Sequence, residues 1–254
     1  MAEASGSDLI WLRPEPHTRR PRLSREQITV IALRIADAEG FAAVTMKRIA
    51  AGLGVGTMTL YYYVRTKADV VALMQDAILA DLLVPGEDLP PGWRAAVAVI
   101  ARRTRDVLLA HPWSLSSLND AQFGPNAMRH IEQSLAALDD LDLDPAAKLS
   151  WWGIVDNFVF GNALHTAESL ARAAQARAHP ALVADAITFG EQQLATGQFP
   201  RLAALYQQQS APDRAAVDDP GGTSPPITDA LTAQFERGLA ALLDGLAITP
   251  GSPA

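Results

Sequence analysis

The sequence predicts an all-α protein: an N-terminal three-helix module built on a helix-turn-helix, then a larger C-terminal helical domain. Three observations carry that expectation. Thr45 to Lys67 reads as two short helices joined by a glycine turn. Beyond it, apolar residues recur at helical spacing between breaks made by Pro and Gly. Charge is divided along the chain. Residues 17–67 hold nine Lys/Arg against three Asp/Glu, a formal +6, and residues 68–254 hold 11 against 22, a formal −11.

An N-terminal arm, 1–23, comes first. It is small, polar and proline-bearing apart from Leu9-Ile10-Trp11-Leu12, which reads as a short segment packed on the domain or as disorder. Thr18-Arg19-Arg20-Pro21-Arg22 is a basic arm. Such arms lie along phosphates or reach a minor groove, or are merely solvated. Ser24 caps the first helix, and Gln27 completes a capping box. Ile28, Ile31, Ala32, Ile35 and Ala36 form its inward stripe, and Gly40 ends it.

Thr45 caps the next helix, Met46 to about Leu53, by accepting from an otherwise orphaned backbone N–H. Ile49, Ala50 and Leu53 give it one apolar face. Gly54-Val55-Gly56 breaks the helix, because glycine tolerates the left-handed conformation of a sharp C-terminus. Val55 plugs the gap between the helices. The second helix runs from near Thr57 to about Val64, two turns that are marginal alone. With Leu60 inward, Thr57, Met58, Thr59, Tyr61, Tyr62 and Tyr63 are left mostly outside. Three successive tyrosines on so short a helix cannot all be core. Lys67 follows near a helix N-terminus, where backbone N–H groups and an ammonium suit a phosphate. A helix-turn-helix sets its second helix in a DNA major groove with the first residues at base edges. The bland reading is an ordinary pair of helices. A basic module on an acidic body favours the DNA reader.

Thr45, Arg48, Ile49, Ala50, Leu53, Gly54, Val55, Thr59, Leu60, Tyr61, Val64 and Lys67 resemble, without a gap, the DNA-binding signature of the TetR (tetracycline repressor) family of transcriptional regulators. One position departs from it: the family often carries histidine where Tyr63 stands. The resemblance implies a DNA-binding domain at 24–67 and a ligand-binding and dimerisation domain at 68–254. Lys47, Tyr61 and Lys67 are expected at phosphates. Thr57, Met58, Thr59 and Tyr62 are expected at base edges, with Tyr63 in the same DNA-binding set.

Composition narrows the alternatives. There is no cysteine, so no disulfide or thiol chemistry, which fits a reducing cytoplasm. No basic-then-apolar opening marks a signal peptide, and no apolar run approaches the roughly 20 residues that span a bilayer. The five histidines are scattered, none at metal-ligand spacing, so no metal or cofactor is expected. There is no Gly-rich phosphate loop of standard spacing and no G-x-S-x-G. His165 and Asp156, the nearest thing to a catalytic pair, lie about two and a half helical turns apart and point to opposite sides. An enzyme is therefore disfavoured. A helical interaction adaptor without DNA binding is disfavoured by the charge division and the exposed tyrosines.

In the body, Thr66 caps a fourth helix with Asp69 at its third position, and Val70, Leu73, Met74, Ala77 and Ile78 form its buried face. That helix leaves the DNA module and is the expected mechanical link. Residues 84–92 read as a linker. Trp93 to Ala110 is helical, with Val97, Ile100, Ala101, Thr104 and Leu108 on one face, and His111-Pro112 stops it. Trp113 to Asp120 reads as a short helix, and Asn126 to Leu141 as another with Ile131, Leu135 and Leu138 inward. Pro145 opens a long helix to about Ala178, apolar on more than one face and therefore buried on several sides. Helices from about Val183 to Thr196 and from Phe199 to Gln208 precede a flexible loop at 210–226. The last helix, Thr228 to about Leu246, carries Leu231, Phe235, Leu239, Leu242 and Leu246, with Gly238 and Gly245 beside that stripe. Glycine costs a helix about 1 kcal/mol relative to alanine, which close helix–helix approach would justify. The pattern suits a homodimer whose four-helix bundle uses the long helix, 146–178, and the last helix, 228–246. Packing within one chain is the alternative.

The expectation for the whole chain is a homodimeric repressor on a palindromic double-stranded DNA operator, released by a small, largely apolar effector. The expected ligand-binding residues are Ile100, Thr104, Leu108, Trp113, Ile131, Leu135, Trp152, Asp156 and Asn157, with His165 near the dimer seam. A filled core is the alternative. An anionic Asp156 calls for a cationic or hydrogen-bond-donating group on the ligand.

Overall fold

The computed structural model describes residues 9–16, 23–116, 123–210 and 227–248. The basic arm at 18–22, residues 117–120 of the expected helix after Trp113, and the loop at 211–226 lie outside the described residues. Every regular element among the described residues is a helix. The chain divides into two compact units, Met1–Leu164 with Leu239–Ala254, and His165–Gly238.

The first unit opens on a single 3-10 turn, Ile10–Leu12, whose Ile10 is fully buried. Of the apolar tetrad, Ile10 is core and Trp11 packs against it, while Leu9 and Leu12 are exposed. Helix α1 (Arg25–Glu39) begins at a closed capping box: Gln27 N–H donates to Ser24 Oγ at 3.1 Å and Ser24 N–H to Gln27 Oε1 at 2.9 Å. Helix α2 (Met46–Leu53) is capped by Thr45 and ends at Gly54, whose φ of 67° is left-handed. Glycine relieves the Cβ clash that this conformation imposes on other residues. Helix α3 (Thr57–Tyr63) follows the turn. Gly52 lets α2 press on α1, since a Cβ there would lie 2.8 Å from Ile31 Cγ2. Helix α4 (Lys67–Ala80) has its own closed box from Thr66 and Asp69. Ile28, Ile49, Leu60, Val64 and Met74 meet in one core that continues to Val107 and Trp113.

Helices α5 (Trp93–Ala110), α6 (Trp113–Ser116) and α7 (Pro125–Ala136) follow, then α8 (Pro145–Ala178), of which the stretch to Leu164 belongs to this unit. Helix α7 stops at Ala136 rather than Leu141, and turns carry the chain on, with Leu138 and Leu141 still buried. It is fastened to α4 and the segment after it. Asp76 Oδ1 accepts from Asn126 N–H at 2.9 Å and Ala127 N–H at 3.2 Å. Gln133 pairs with both the N–H and the C=O of Val84, at 3.0 and 2.7 Å.

The second unit holds the rest of α8, helices α9 (Pro180–Ala195) and α10 (Pro200–Ser210), and the start of α11 (Ile227–Ile248). Helix α9 starts at Pro180 rather than near Val183, because proline is at home in a first helical turn, where an N–H is unpaired anyway. In α11 the buried stripe is Leu231, Phe235, Leu239, Leu243 and Leu246, with Leu243 in the place expected of Leu242. These side chains are already enclosed by their own chain. The stripe is therefore intrachain packing, not the seam that spacing alone suggested.

Candidate nucleic-acid interface and buried cavity

On α3, Leu60 and Tyr63 point inward, with Tyr63 only 6% exposed. They are three residues apart and so share a helical face. Tyr63 was expected on the outer surface; it instead supports that surface from beneath, its ring edge-on to Tyr62 at 5.6 Å. Its carbonyl accepts from Arg25 Nε at 3.2 Å. Met58, Tyr61 and Tyr62 are 79, 46 and 64% exposed, Thr59 is exposed and Thr57 half-buried. These five, all expected to contact DNA, share the outward side of α3.

Two exposed lysines flank them. Lys47 is the second residue of α2 and Lys67 the first of α4. The Lys67 ammonium lies over the Phe41 ring, 4.9 Å from its centre. The N–H cluster expected to assist Lys67 is partly occupied: Asp69 accepts from Arg65 and Thr66 N–H at 2.7 and 3.2 Å, and Thr66 Oγ1 takes Asp69 N–H. Asp69 itself pairs with Arg13. The exposed ammonium, resting on the Phe41 ring, is the group that Lys67 presents. Arg48 is engaged by Glu39 at 2.5 Å.

The same unit holds a cavity of about 30 Å³, room for about one water. Trp93, Val97, Ile100, Ala101 and Thr104 of α5 line it, with His130 and Ser134 of α7 and Leu138 just after. Trp151, Trp152, Val155, Asp156 and Val159 of α8 and Leu246 of α11 complete the wall. Ile100, Thr104, Trp152 and Asp156 stand where the sequence placed them. The others do not. Ile131 and Leu135 are half-buried beside the cavity because α7 turns His130 and Ser134 inward instead. Leu108 is buried outside the lining. Trp113 belongs to the module core, stacked on Phe41 at 5.7 Å and donating from Nε1 to Asp37 at 2.8 Å. Asn157 is exposed, and His165 is exposed in the second unit.

His130, Ser134, Trp93 and Trp151 were missed. The spacing of His130, Ser134 and Leu138 at i, i+4 and i+8 marks one helical face, but its two polar members hid it from a search for apolar stripes. Burial pushes the Asp156 carboxyl up to about 6. Among the described residues none pairs with it. Burial pushes His130 down to about 4, so its ring is neutral, and its Nδ1 has no hydrogen-bond partner. Trp152 Nε1 likewise has none. Buried polar groups are normally satisfied, and around this void the His130 Nδ1 and Trp152 Nε1 atoms are not, with the Asp156 carboxylate facing the same space.

Residues 28–74 match the family described as bacterial regulatory proteins, tetR family, and residues 85–220 match the tetracyclin repressor-like C-terminal domain. The HTH-type transcriptional repressor DrrR1 of Streptomyces coeruleorubidus is 32% identical over 225 residues, 83% of this chain and 82% of its own. An HTH-type transcriptional regulator of Saccharopolyspora erythraea is 33% identical over 165 residues, 64% of this chain and 69% of its own. The crystal structure of the TetR family protein ActR of Streptomyces coelicolor in complex with actinorhodin matches with a TM-score of 0.66 at 27% identity, covering 88% of this chain and 95% of that one.

Proposed function

The chain belongs to the TetR family of bacterial transcriptional regulators, and from that premise we propose that it reads a palindromic operator as a homodimer and is released by a small effector. The observation that carries this reading is the outward face of α3, where Met58, Tyr61 and Tyr62 stand exposed over a closed core. Thr57, Met58, Thr59 and Tyr62 meet base edges, and Tyr61, Lys47 and Lys67 meet phosphates. Residues 24–67 serve DNA and 68–254 serve effector and partner. Among the described residues no helix is long and apolar enough to cross a membrane, and we place the protein in the cytoplasm with its DNA. Its named relatives regulate transcription, and catalysis has no part in this reading.

The homodimer uses the outward sides of α8 and α11. Ile154 and Leu164 are 41 and 44% exposed on α8, and Ile248 82% on α11. Gly161 and Gly245 have open space where a Cβ would project, which lets a second backbone come close. The effector enters the cavity among α5, α7 and α8; that the similar ActR was crystallised in complex with actinorhodin supports a small-molecule effector. Drug-sized ligands occupy roughly 300–1,000 Å³, so this cavity opens to receive one. Opening displaces α7, and α7 is bonded to Asp76 of α4, the helix that follows α3 directly. The effector thereby favours a conformer that no longer fits both half-sites. Tenfold weaker DNA binding requires about 1.4 kcal/mol of coupling.

Operator selection from a random pool, followed by fluorescence anisotropy across a salt series, tests the interface. Lys67→Ala is expected to weaken all sequences alike and to flatten the log–log salt slope by about 0.9 per protomer. Thr57→Ala is expected to change the preference among operators. An unchanged salt slope in Lys67→Ala removes the phosphate assignment.

A further inference from the structure

We propose that the cavity is a site for a flat organic cation, with Asp156 as its counter-charge and the indoles of Trp93, Trp151 and Trp152 as its walls. This rests on the reading of the cavity as the effector site. The argument starts from charge. Asp156 is the one carboxylate in the lining, and no Lys or Arg shares that lining. The polar groups that do share it, Thr104, Ser134 and His130, are neutral; the histidine is held so by burial. Near pH 7 the carboxylate is mostly ionised, because burial raises it only to about 6. A negative charge in a shielded site without a partner is costly, and a ligand that brings a positive charge removes that cost.

The walls point the same way. Trp93 and Trp151 pack at 5.5 Å with their planes tilted by 60°. Indole faces attract cations as well as flat apolar rings, most strongly where water is excluded. The unpartnered Trp152 Nε1–H is a donor only, so it calls for an acceptor oxygen on the same ligand. Thus the cavity selects an aromatic monocation with one hydrogen-bond acceptor. It rejects carboxylates, which would face Asp156 with like charge.

Isothermal titration calorimetry of the full chain at pH 7.5 tests this with three probes on one ring system: 1-naphthylmethylammonium, neutral 1-naphthylmethanol and anionic 1-naphthoate. The ammonium is expected to bind about tenfold tighter than the alcohol, as a charge-assisted contact implies, and the naphthoate weakest. Asp156→Asn keeps the side chain's shape and is expected to bring ammonium and alcohol within about threefold of each other. If the wild type binds the alcohol or naphthoate as tightly as the ammonium, the cation assignment is overturned. If that binding is nonetheless lost in Trp152→Ala, the cavity still stands as the effector site. Binding of no probe, or binding indifferent to Trp152→Ala, overturns both.

Discussion

The DNA-reading module and the effector-binding body close their helices in different ways. In the module, α1, α2 and α4 each start one residue after a Ser or Thr that caps them: Ser24, Thr45 and Thr66. In the body, α5 and α7 start after Gly92 and Gly124, which have no side chain to offer. The first turn of α7 is capped from elsewhere in the chain, by Asp76 of α4. A carboxylate there satisfies two orphan N–H groups and complements the helix dipole. Three of the module's helix starts are therefore written locally, α3 after Gly56 being the exception, although the module's core also draws on Val107 and Trp113 of the body. The position of α7 is written into α4. A repressor is served by such a difference: a locally capped reading head, and contacts such as Asp76 with α7, Gln133 with Val84 and Trp113 with Asp37 through which a change in the body is passed on.

The largest test of that contrast lies in the module core. Leu60→Ala is expected to cost about 2–5 kcal/mol, as buried leucine truncations do, because Leu60 is fully buried. Leu135→Ala, at a half-buried position beside the cavity, is expected to cost distinctly less. Urea unfolding of the two variants measures the difference, and equal losses would break the comparison.

Next in size, Asp156→Asn is expected to stabilise the protein. The folded state holds the Asp156 proton up to about pH 6, against an ordinary 3.8. Its favourable contribution is thus fully present below 3.8 and lost as pH rises through about 6. Asparagine avoids the buried charge, so the free energy of unfolding should rise at pH 7.5, by on the order of 3 kcal/mol at most, and the gain should vanish near pH 4. His130 runs the other way, since its pKa is lowered to about 4 from 6.5. Its contribution is present above pH 6.5 and falls away toward 4 in wild type and variant alike. Thermal melts across that range separate the two.

The smallest expected effect is the most local. Ser24→Ala should lose a cap worth about 1 kcal/mol and loosen only the first turn of α1. Asp76→Ala should cost somewhat more, because Asp76 is buried and its carboxylate holds two bonds to the start of α7; the bond from Asn126 Nδ2 to the Asp76 backbone carbonyl survives the substitution. Hydrogen exchange should show its damage at Asn126 and Ala127, far along the sequence from the substitution. Operator binding should survive, with release by effector blunted.

These differences explain what the sequence disclosed. The caps, the Gly54 turn and the boundaries of α1 to α4 were legible because their causes lie within four residues. The bounds of α5 and α8 were legible from their flanking Gly92, Pro112 and Pro145. The cavity was only half legible. Thr104, Trp152 and Asp156 sit on faces that periodicity marks. His130 and Ser134 point inward because of how α7 is pinned to α4, which no local pattern states. Trp113 was misplaced for a similar reason: its partners, Phe41 and Asp37, are more than 70 residues away. The stripe of α11 was found, but periodicity does not say whether a stripe meets its own chain or another.

The stack of Lys67 on Phe41, and of Phe41 on Trp113, has a consequence for entropy. A free lysine carries about 2 kcal/mol of rotamer freedom, most of which a phosphate contact would take away. Lys67 is already held over an aromatic face, and that face is fixed by an indole whose N–H is tied to Asp37. Much of the ordering is thus done before DNA arrives. The ring that holds the lysine also touches the first residue of α6, so a rearrangement there would release it. Operator affinity would then fall through regained side-chain motion, with every base contact of α3 left in place.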